Sequence, residues 1–160
     1  MNDIIQSIYD SGIGTWMRES ATAFPWVETL HVIAITTVLG TIAIVDLRLL
    51  GVRAHRRGAL QLIKDMLPFT WAAFALAVVT GLLLFASDAT GYVEKGPFRG
   101  KMLFIVAAGI NMAVFHLTAY RKIDKWDEAA PPPLAVRIAG GTSLALWIAV
   151  TFAGRWIGFV

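Results

Sequence analysis

The sequence contains no cysteine, little charge and only three histidines. Without cysteine, the chain has no disulfide bond, thiolate metal site, iron–sulfur cluster or catalytic thiol. Its first 15 residues include Asp3 and Asp10 but no lysine or arginine, the reverse of the basic n-region of a secretory signal peptide. The phosphate-binding glycine loop and the G-x-S-x-G and H-E-x-x-H motifs are also missing, which argues against the soluble enzyme classes that use them.

Uncharged, apolar runs fill most of the chain, in which 57% of the residues are hydrophobic and 16% are charged. The runs cover residues 32–44 with apolar flanks, 67–86, 102–120 and 138–154. A helix needs about 20 residues to cross roughly 30 Å of hydrocarbon. Because lipid offers no partner to backbone N–H and C=O groups, each run must be helical. The sequence therefore predicts an all-α, polytopic membrane protein with four transmembrane helices in a bundle.

The four spans leave room only for short loops and one N-terminal segment, so residues 1–160 are interpreted as a single membrane domain. Prolines, glycines and charges place the helices at about 22–50, 68–87, 98–120 and 134–159. Residues 1–20 mix isoleucines and Trp16 with charged side chains. This mixture predicts an interfacial amphipathic segment that rests on the lipid bilayer.

Basic residues are distributed unevenly between the two sides of the predicted bundle. If the N-terminus is outside, 9 of the 14 lysines and arginines lie on the cytoplasmic side, namely Arg48, Arg53, Arg56, Arg57, Lys64, Arg121, Lys122, Lys125 and Arg137. Because cytoplasmic loops carry the excess of lysine and arginine, we expect both termini on the periplasmic side of a bacterial inner membrane. These loops account for the net charge of +3, and no nucleic-acid partner is expected.

A few polar residues within the spans are the candidate functional groups, since ionisable residues in a membrane face the bundle interior or a cavity. Glu28 and His31 are three residues apart on the first helix and therefore share a face. Asn111 lies near the midplane of the third helix and His116 near its cytoplasmic end. We expect Asn111 to donate a hydrogen bond to another helix, and Glu28 with His31 to form a functional site.

Three other charged residues lie near helix ends. Asp46 and Arg48 are expected to anchor the cytoplasmic end of the first helix at the interface. For Arg155, near the outer end of the fourth helix, two interpretations stay open: its side chain extends to the interface, or it pairs with Glu28.

Haem b is the first cofactor hypothesis, with His31 and His116 as possible iron ligands. The two histidines differ in depth by on the order of 10–13 Å at the rise of an α-helix, which argues against their joining one iron. One haem with a single histidine, or with a ligand from a partner chain, remains open. Glu28 would then orient the His31 imidazole.

Other hypotheses use the same residues. The Glu28-x-x-His31 spacing occurs in di-iron bundles, but those need further glutamates that the spans lack. A quinone pocket could use Glu28 and His31 as proton-accepting groups. An accessory subunit of a larger membrane complex, or a homo-oligomer, could pack through small faces such as Gly154-x-x-x-Gly158.

Three stretches together carry a family resemblance: R-E-S at 18–20 with F-P-W-V-E-T-L-H-V at 24–32, G40 through D-L-R-L-L-G at 46–51, and residues 101–111 with F-H at 115–116. In these stretches the chain resembles an uncharacterised family of small bacterial four-span inner-membrane proteins, a domain of unknown function. The resemblance implies the four-span fold and its topology, and no particular activity. It directs attention to Glu28, His31, Asp46, Arg48, Asn111 and His116.

The function that the sequence favours is a small integral membrane redox component that binds haem b or interacts with quinone. His31 would be the ligand or proton-exchanging group, Glu28 its partner, and His116 a second site. The alternative is a non-catalytic accessory or structural subunit of a larger membrane complex.

Overall fold

The computed structural model describes residues 2–52, 58–127 and 132–160. In these ranges the chain is helical and has no β-strand. The α-helices are α1 (Asn2–Tyr9), α2 (Gly12–Glu19), α3 (Ala23–Leu49), α4 (Ala59–Ser87), α5 (Ala89–Glu94), α6 (Gly96–Leu117) and α7 (Leu134–Trp156). Short 3₁₀ helices occupy Tyr120–Lys125 and Ile157–Phe159.

Four of the helices, α3, α4, α6 and α7, are long and apolar enough to cross a membrane. Large hydrophobic side chains cover their outer surface; Leu103 on α6 and Phe152 on α7, for example, are 70% and 69% exposed. Exposed apolar surface on this scale would be untenable in water and is what a bilayer-facing bundle requires. The predicted all-α fold with four spanning helices is confirmed.

The spanning helices form two antiparallel hairpins, α3–α4 and α6–α7, which meet where α3 packs against α7. Gly140 on α7 permits this close approach, because a methyl group there would lie 2.8 Å from Cβ of Leu49 and 3.0 Å from the carbonyl oxygen of Asp46. Helices that are neighbours in the order α4, α3, α7, α6 therefore make the extensive contacts of the bundle. The remaining side of the bundle, between α4 and α6, is the loosely packed one.

The two ends of the bundle differ. The end that carries both chain termini and α5 is called the terminal end, and the other the loop end. At the loop end the 3₁₀ helix folds back over the bundle, burying Ile123 and Trp126. The indole of Trp126 donates to the carbonyl of Ala119 at 2.9 Å. An arginine from α3, Arg48, donates to the carbonyl of Asp127 at 2.8 Å.

At the terminal end, the predicted interfacial segment consists of α1 and α2. The break falls between them at Ser11, whose hydroxyl accepts a hydrogen bond from the Gly14 amide and so caps α2. Helix α2 packs on α4, with Met17 fully buried. Gly14 lies so close to α4 that a methyl group there would be 2.8 Å from the carbonyl oxygen of Ala86.

Two helix boundaries differ from the sequence expectation. The second span is expected from about Pro68, but α4 already begins at Ala59 and holds Pro68 in its interior. The third span is expected to reach about residue 120, but α6 ends at Leu117 and the 3₁₀ helix follows. In both cases apolar composition reports where the chain enters lipid, and a helix can extend past that point or end before it.

Candidate functional site

A cavity of about 330 Å³ lies between the spanning helices, in the half of the bundle nearer the loop end. All four contribute to its wall: residues 38–49 of α3, 63–74 of α4, 105–116 of α6 and 139–147 of α7. The wall is mainly apolar and includes the aromatic rings of Trp71, Phe74 and Trp147. Cavities of roughly 300–1,000 Å³ with apolar walls and a few polar groups are typical of small-molecule sites.

The carboxyl group of Asp46 is the most unusual feature of this cavity. Asp46 is 4% exposed, and Ser143 on α7 lines the same cavity and acts on its carboxyl group. Its Oδ2 atom is buried without a hydrogen-bond partner among the described residues. Burying a carboxyl oxygen without a hydrogen-bond partner costs free energy, because the atom loses its hydrogen bonds to water. The position of Asp46 differs from the expected interface anchor, because the side chain points into the bundle.

Asn111 joins the two hairpin partners α6 and α7. Its Nδ2 donates to the backbone carbonyl of Ala139 at 3.0 Å, which confirms the interhelical hydrogen bond expected from the sequence. This bond uses one of the two N–H groups of the amide, because a carbonyl can only accept. The second N–H group and Oδ1 of Asn111 are then left for a ligand in the cavity that the residue lines.

His116 also lines the cavity, near the end of α6. Its Nδ1 lies 2.9 Å from the carbonyl oxygen of Met112. That oxygen accepts only, so Nδ1 carries the proton, and Nε2 of the neutral ring has a free lone pair. The ring packs edge-on against Phe115 and next to Tyr120. His116 thus offers the cavity one proton acceptor or one metal-ligating nitrogen.

His31 belongs to a different part of the molecule. It lies near the start of α3, about 22 Å along the helix from Asp46 at the ~1.5 Å rise per residue, and it does not line the cavity. Nδ1 is 2.8 Å from the hydroxyl of Thr80 on α4, which itself donates to the carbonyl of Leu76 at 2.7 Å. Because that hydroxyl proton is used, Thr80 accepts from His31, and Nε2 again keeps its lone pair.

Glu28 and His31 share a helix face but do not form a hydrogen-bonded pair within the described ranges. The Glu28 side chain is exposed, and its charge acts on Tyr92 of α5. Burial raises the pKa of Tyr92, and the negative charges of Asp88 and Glu28 raise it further. The phenol therefore stays protonated at neutral pH.

The predicted site residues thus fall into two groups. His116 and Asn111 meet at the cavity, whereas Glu28 and His31 lie toward the terminal end. Among the described residues no group of three or more His, Asp and Glu side chains converges as a metal site, so Glu28-x-x-His31 has no third ligand there. Within the same ranges Arg155 makes no ion pair with Glu28; its guanidinium lies 5.2 Å from the ring centroid of Phe159.

The sequence interpretation missed three parts of the cavity: the inward position of Asp46, the wall residue Ser143, and the wall tryptophans Trp71 and Trp147. One signal was present, since Asp46 is the only acidic residue within the apolar part of α3 other than Glu28. The tryptophans carry no such signal, because a tryptophan on a spanning helix can face lipid or interior equally well.

Fold and cavity together define a class of small polytopic membrane protein: a four-helix bundle with an internal cavity and a buried carboxyl group. Within that class the chain belongs to the DUF6644 family, a family of unknown function, which matches residues 14–160. No curated protein and no solved structure matches the chain.

Proposed function

We propose that the protein is a membrane redox component that binds a quinone in the cavity at the loop end. The observation that carries this proposal is Oδ2 of Asp46, a buried oxygen without a partner among the described residues, in a cavity that is otherwise mainly apolar. A quinone combines a flat apolar ring with oxygen atoms that need hydrogen-bonding groups. That combination matches the aromatic wall and the small set of polar groups.

Access from the bilayer supports a lipid-soluble ligand. The cavity is partly open, and the helices that flank its loosely packed side are α4 and α6. Two residues of its wall, Trp71 on α4 and Met112 on α6, are 49% and 41% exposed on the lipid-facing surface. A ligand dissolved in the membrane can therefore reach the cavity between these helices without crossing water.

Asp46 and His116 are the proton-exchanging groups of the proposed site. Reduction of a quinone to a quinol takes up two electrons and two protons. In the reduction, the Asp46 carboxyl group in its protonated form would give one proton to a quinone oxygen, and Nε2 of His116 in its protonated form would give the second. In the oxidation of the quinol, the Asp46 carboxylate and Nε2 of His116 would accept these two protons. The electrons come from a redox partner, which is the role that a larger membrane complex would have.

Tryptophan fluorescence in nanodiscs tests the proposal, with decylubiquinone as the titrant. Trp71 and Trp147 line the cavity, so bound quinone should quench them saturably. The Trp71→Phe/Trp147→Phe double variant should show only the linear quenching that comes from quinone dissolved in lipid. His116→Leu should weaken binding about tenfold, the effect of one lost hydrogen bond of roughly 1.4 kcal/mol. His31→Leu is the matched control and should bind as the wild type does.

Purely linear quenching of the wild type, or equal affinity in His116→Leu, would refute the quinone site.

Haem b is the second candidate, favoured by the free Nε2 of His116. It requires a reduced-minus-oxidised spectrum with a Soret band and sharp α and β bands. Loss of these bands in His116→Leu and their retention in His31→Leu would replace quinone by haem with a single axial histidine.

The location proposed for this function is a bacterial inner membrane with both termini in the periplasm. Lysine and arginine counts in the sequence support it, since 9 of 14 fall in or beside the two segments that this orientation makes cytoplasmic. Three of the nine, Arg53, Arg56 and Arg57, lie outside the described residues. The cavity, also nearer the loop end, would then open in the cytoplasmic half of the bilayer.

A further inference from the structure

A second, open cavity lies at the terminal end of the bundle, between the interfacial helices and α4. It has a volume of about 450 Å³, and its wall consists of residues 4, 7 and 8 of α1, residues 11 and 13 at the start of α2, and residues 82, 83 and 86 of α4. This cavity is called the terminal groove. It shares no wall residue with the loop-end cavity, so it is independent of the proposed quinone site.

The side chains of the terminal groove are hydrocarbon apart from two serine hydroxyls, and both hydroxyl protons are used within the chain. Oγ of Ser7 donates to the carbonyl of Asp3 at 2.7 Å, and Oγ of Ser11 donates to the carbonyl of Ile8 at 2.6 Å. The Ser11 oxygen also accepts from the Gly14 amide at 3.1 Å. A groove whose side chains have no proton left to donate suits an apolar chain better than a polar solute.

The terminal groove has a cationic end and an apolar end. Arg18 lies at the end formed by Ala86, because a methyl group on Gly14 would be 2.8 Å from the carbonyl oxygen of Ala86 and 3.1 Å from Nη1 of Arg18. Leu82 lies about 6 Å further toward the middle of α4 at the ~1.5 Å rise per residue, and its side chain is 62% exposed. The groove therefore leads from a cation near the end of a spanning helix into hydrocarbon, which is the polarity of a phospholipid.

The guanidinium group of Arg18 is held in place by the protein and keeps two N–H groups for a ligand. Nη1 donates to the carbonyls of Tyr9 at 2.8 Å and Ser87 at 3.4 Å, and Nη2 donates to Oγ1 of Thr15 at 3.4 Å. The guanidinium carbon lies 3.8 Å from the ring centroid of Tyr9. The N–H of Nε and the second N–H of Nη2 share one edge and have no hydrogen-bond partner among the described residues. Such an edge binds phosphate through two parallel hydrogen bonds.

We propose that the terminal groove binds one acyl chain of a zwitterionic phospholipid, whose phosphate group accepts hydrogen bonds from Arg18. Residues 2–19 carry three acidic side chains, Asp3, Asp10 and Glu19, against the single base Arg18, and all four are exposed. This excess of negative charge repels a headgroup of net negative charge and attracts an ammonium group. Phosphatidylethanolamine carries both a phosphate and an ammonium group and is therefore the phospholipid that fits.

Native mass spectrometry from detergent tests the site, with phosphatidylethanolamine, phosphatidylglycerol and diacylglycerol of identical chains as probes at equal concentration. The wild type should retain one phosphatidylethanolamine in preference to either of the other lipids. Ser7→Phe places a ring in the groove and should lower the retained fraction at least about tenfold, which corresponds to roughly two methylene groups that are no longer buried. Gln6→Phe is the matched control, because it adds the same ring to α1 at an exposed position outside the groove.

Arg18→Met tests the phosphate contact separately from the fold. The variant also loses the hydrogen bonds to the Tyr9 and Ser87 carbonyls, so the decisive quantity is a ratio of two lipids. The preference for phosphatidylethanolamine over diacylglycerol, which has no phosphate, should disappear. A general loosening of the groove would instead lower the retention of both lipids together and leave their ratio unchanged.

Three results would overturn the proposal. Ser7→Phe could retain the lipid as well as Gln6→Phe does, with an unaltered helical circular dichroism spectrum, and the groove would then not be the site. A preference over diacylglycerol that persists in Arg18→Met would exclude the phosphate contact. Stronger retention of phosphatidylglycerol than of phosphatidylethanolamine by the wild type would exclude a zwitterionic lipid.

Discussion

At the scale of single residues, hydrogen bonds within the protein decide which polar atoms remain free for a ligand. The side chains of Asn111 and His116 are hydrogen-bonded to backbone carbonyls, and the ring of His31 is hydrogen-bonded to the hydroxyl of Thr80. Since each of these partners accepts, the groups left are Oδ1 and the second N–H of the amide, and Nε2 of each imidazole whose proton is on Nδ1. The chemistry of these side chains therefore depends on atoms whose roles are set by the helices behind them.

Replacing Asn111 by leucine should weaken the contact between α6 and α7. The variant removes the hydrogen bond to the Ala139 carbonyl and keeps a side chain of similar size. We expect the free energy of unfolding to fall by roughly 0.6–1.7 kcal/mol, the range for interhelical hydrogen bonds in membranes. Reversible unfolding in mixed SDS micelles measures it.

The control for this variant is Thr36→Val, because the Thr36 hydroxyl bonds only carbonyls of its own helix, at Val32 and Ile33. Its loss should change stability much less. Equal stability changes in the two variants would show that the hydrogen bond between helices contributes no more to the free energy of unfolding than one within a helix.

The role of Asn111 could be predicted from the sequence, whereas that of Asp46 could not. An amide near the midplane of a spanning helix has only other helices as partners. Asp46 lies three residues before the end of α3, where a carboxyl group can face either water or the bundle. The direction of the Asp46 side chain depends on how α3 is rotated about its axis where it packs against α7. That rotation results from packing at Gly140, and the residues around Asp46 in the sequence do not indicate it.

At the scale of helices, the glycines divide into two kinds. Gly140 on α7 is a contact residue, whereas a methyl group on Gly40 of α3 would meet no atom within 4 Å. Gly154, part of the predicted small face, contacts Lys101 of the same chain, while Gly158 is open. Spacing alone could not separate these roles, because it does not report which side of a helix has a neighbour.

Gly140→Ala should therefore destabilise the bundle, since the added methyl group forces α3 and α7 apart. Overpacking of this kind costs about 1–3 kcal/mol. Gly40→Ala is the control and should be neutral or slightly stabilising, because alanine is the better helix former by about 1 kcal/mol. Thermal unfolding in detergent compares the two; destabilisation by Gly40→Ala as large as that by Gly140→Ala would contradict the packing of α3 on α7.

At the scale of the whole molecule, an even number of spans places both termini at one end of the bundle and the 3₁₀ helix at the other. The sequence alone predicted the four spans, with both termini at one end, because hydrophobic length depends on composition and not on packing. It did not predict the 3₁₀ helix. Which helices are neighbours was not predictable in the same way. The order α4, α3, α7, α6, and the loosely packed side that it leaves, result from side-chain shapes across helices.

Cysteine labelling measures this topology without background, since the natural chain has no cysteine. In intact bacterial spheroplasts, an impermeant maleimide should label Asp3→Cys and Phe159→Cys but not Lys122→Cys. Permeabilised cells, in which all three should react, are the control for accessibility. Labelling of Lys122→Cys alone would keep the four-span bundle but reverse the proposed orientation, and it would place the Asp46 cavity in the outer half of the bilayer. Labelling of Asp3→Cys together with Lys122→Cys would contradict the bundle itself, because an odd number of spans separates terminus and loop in the structure.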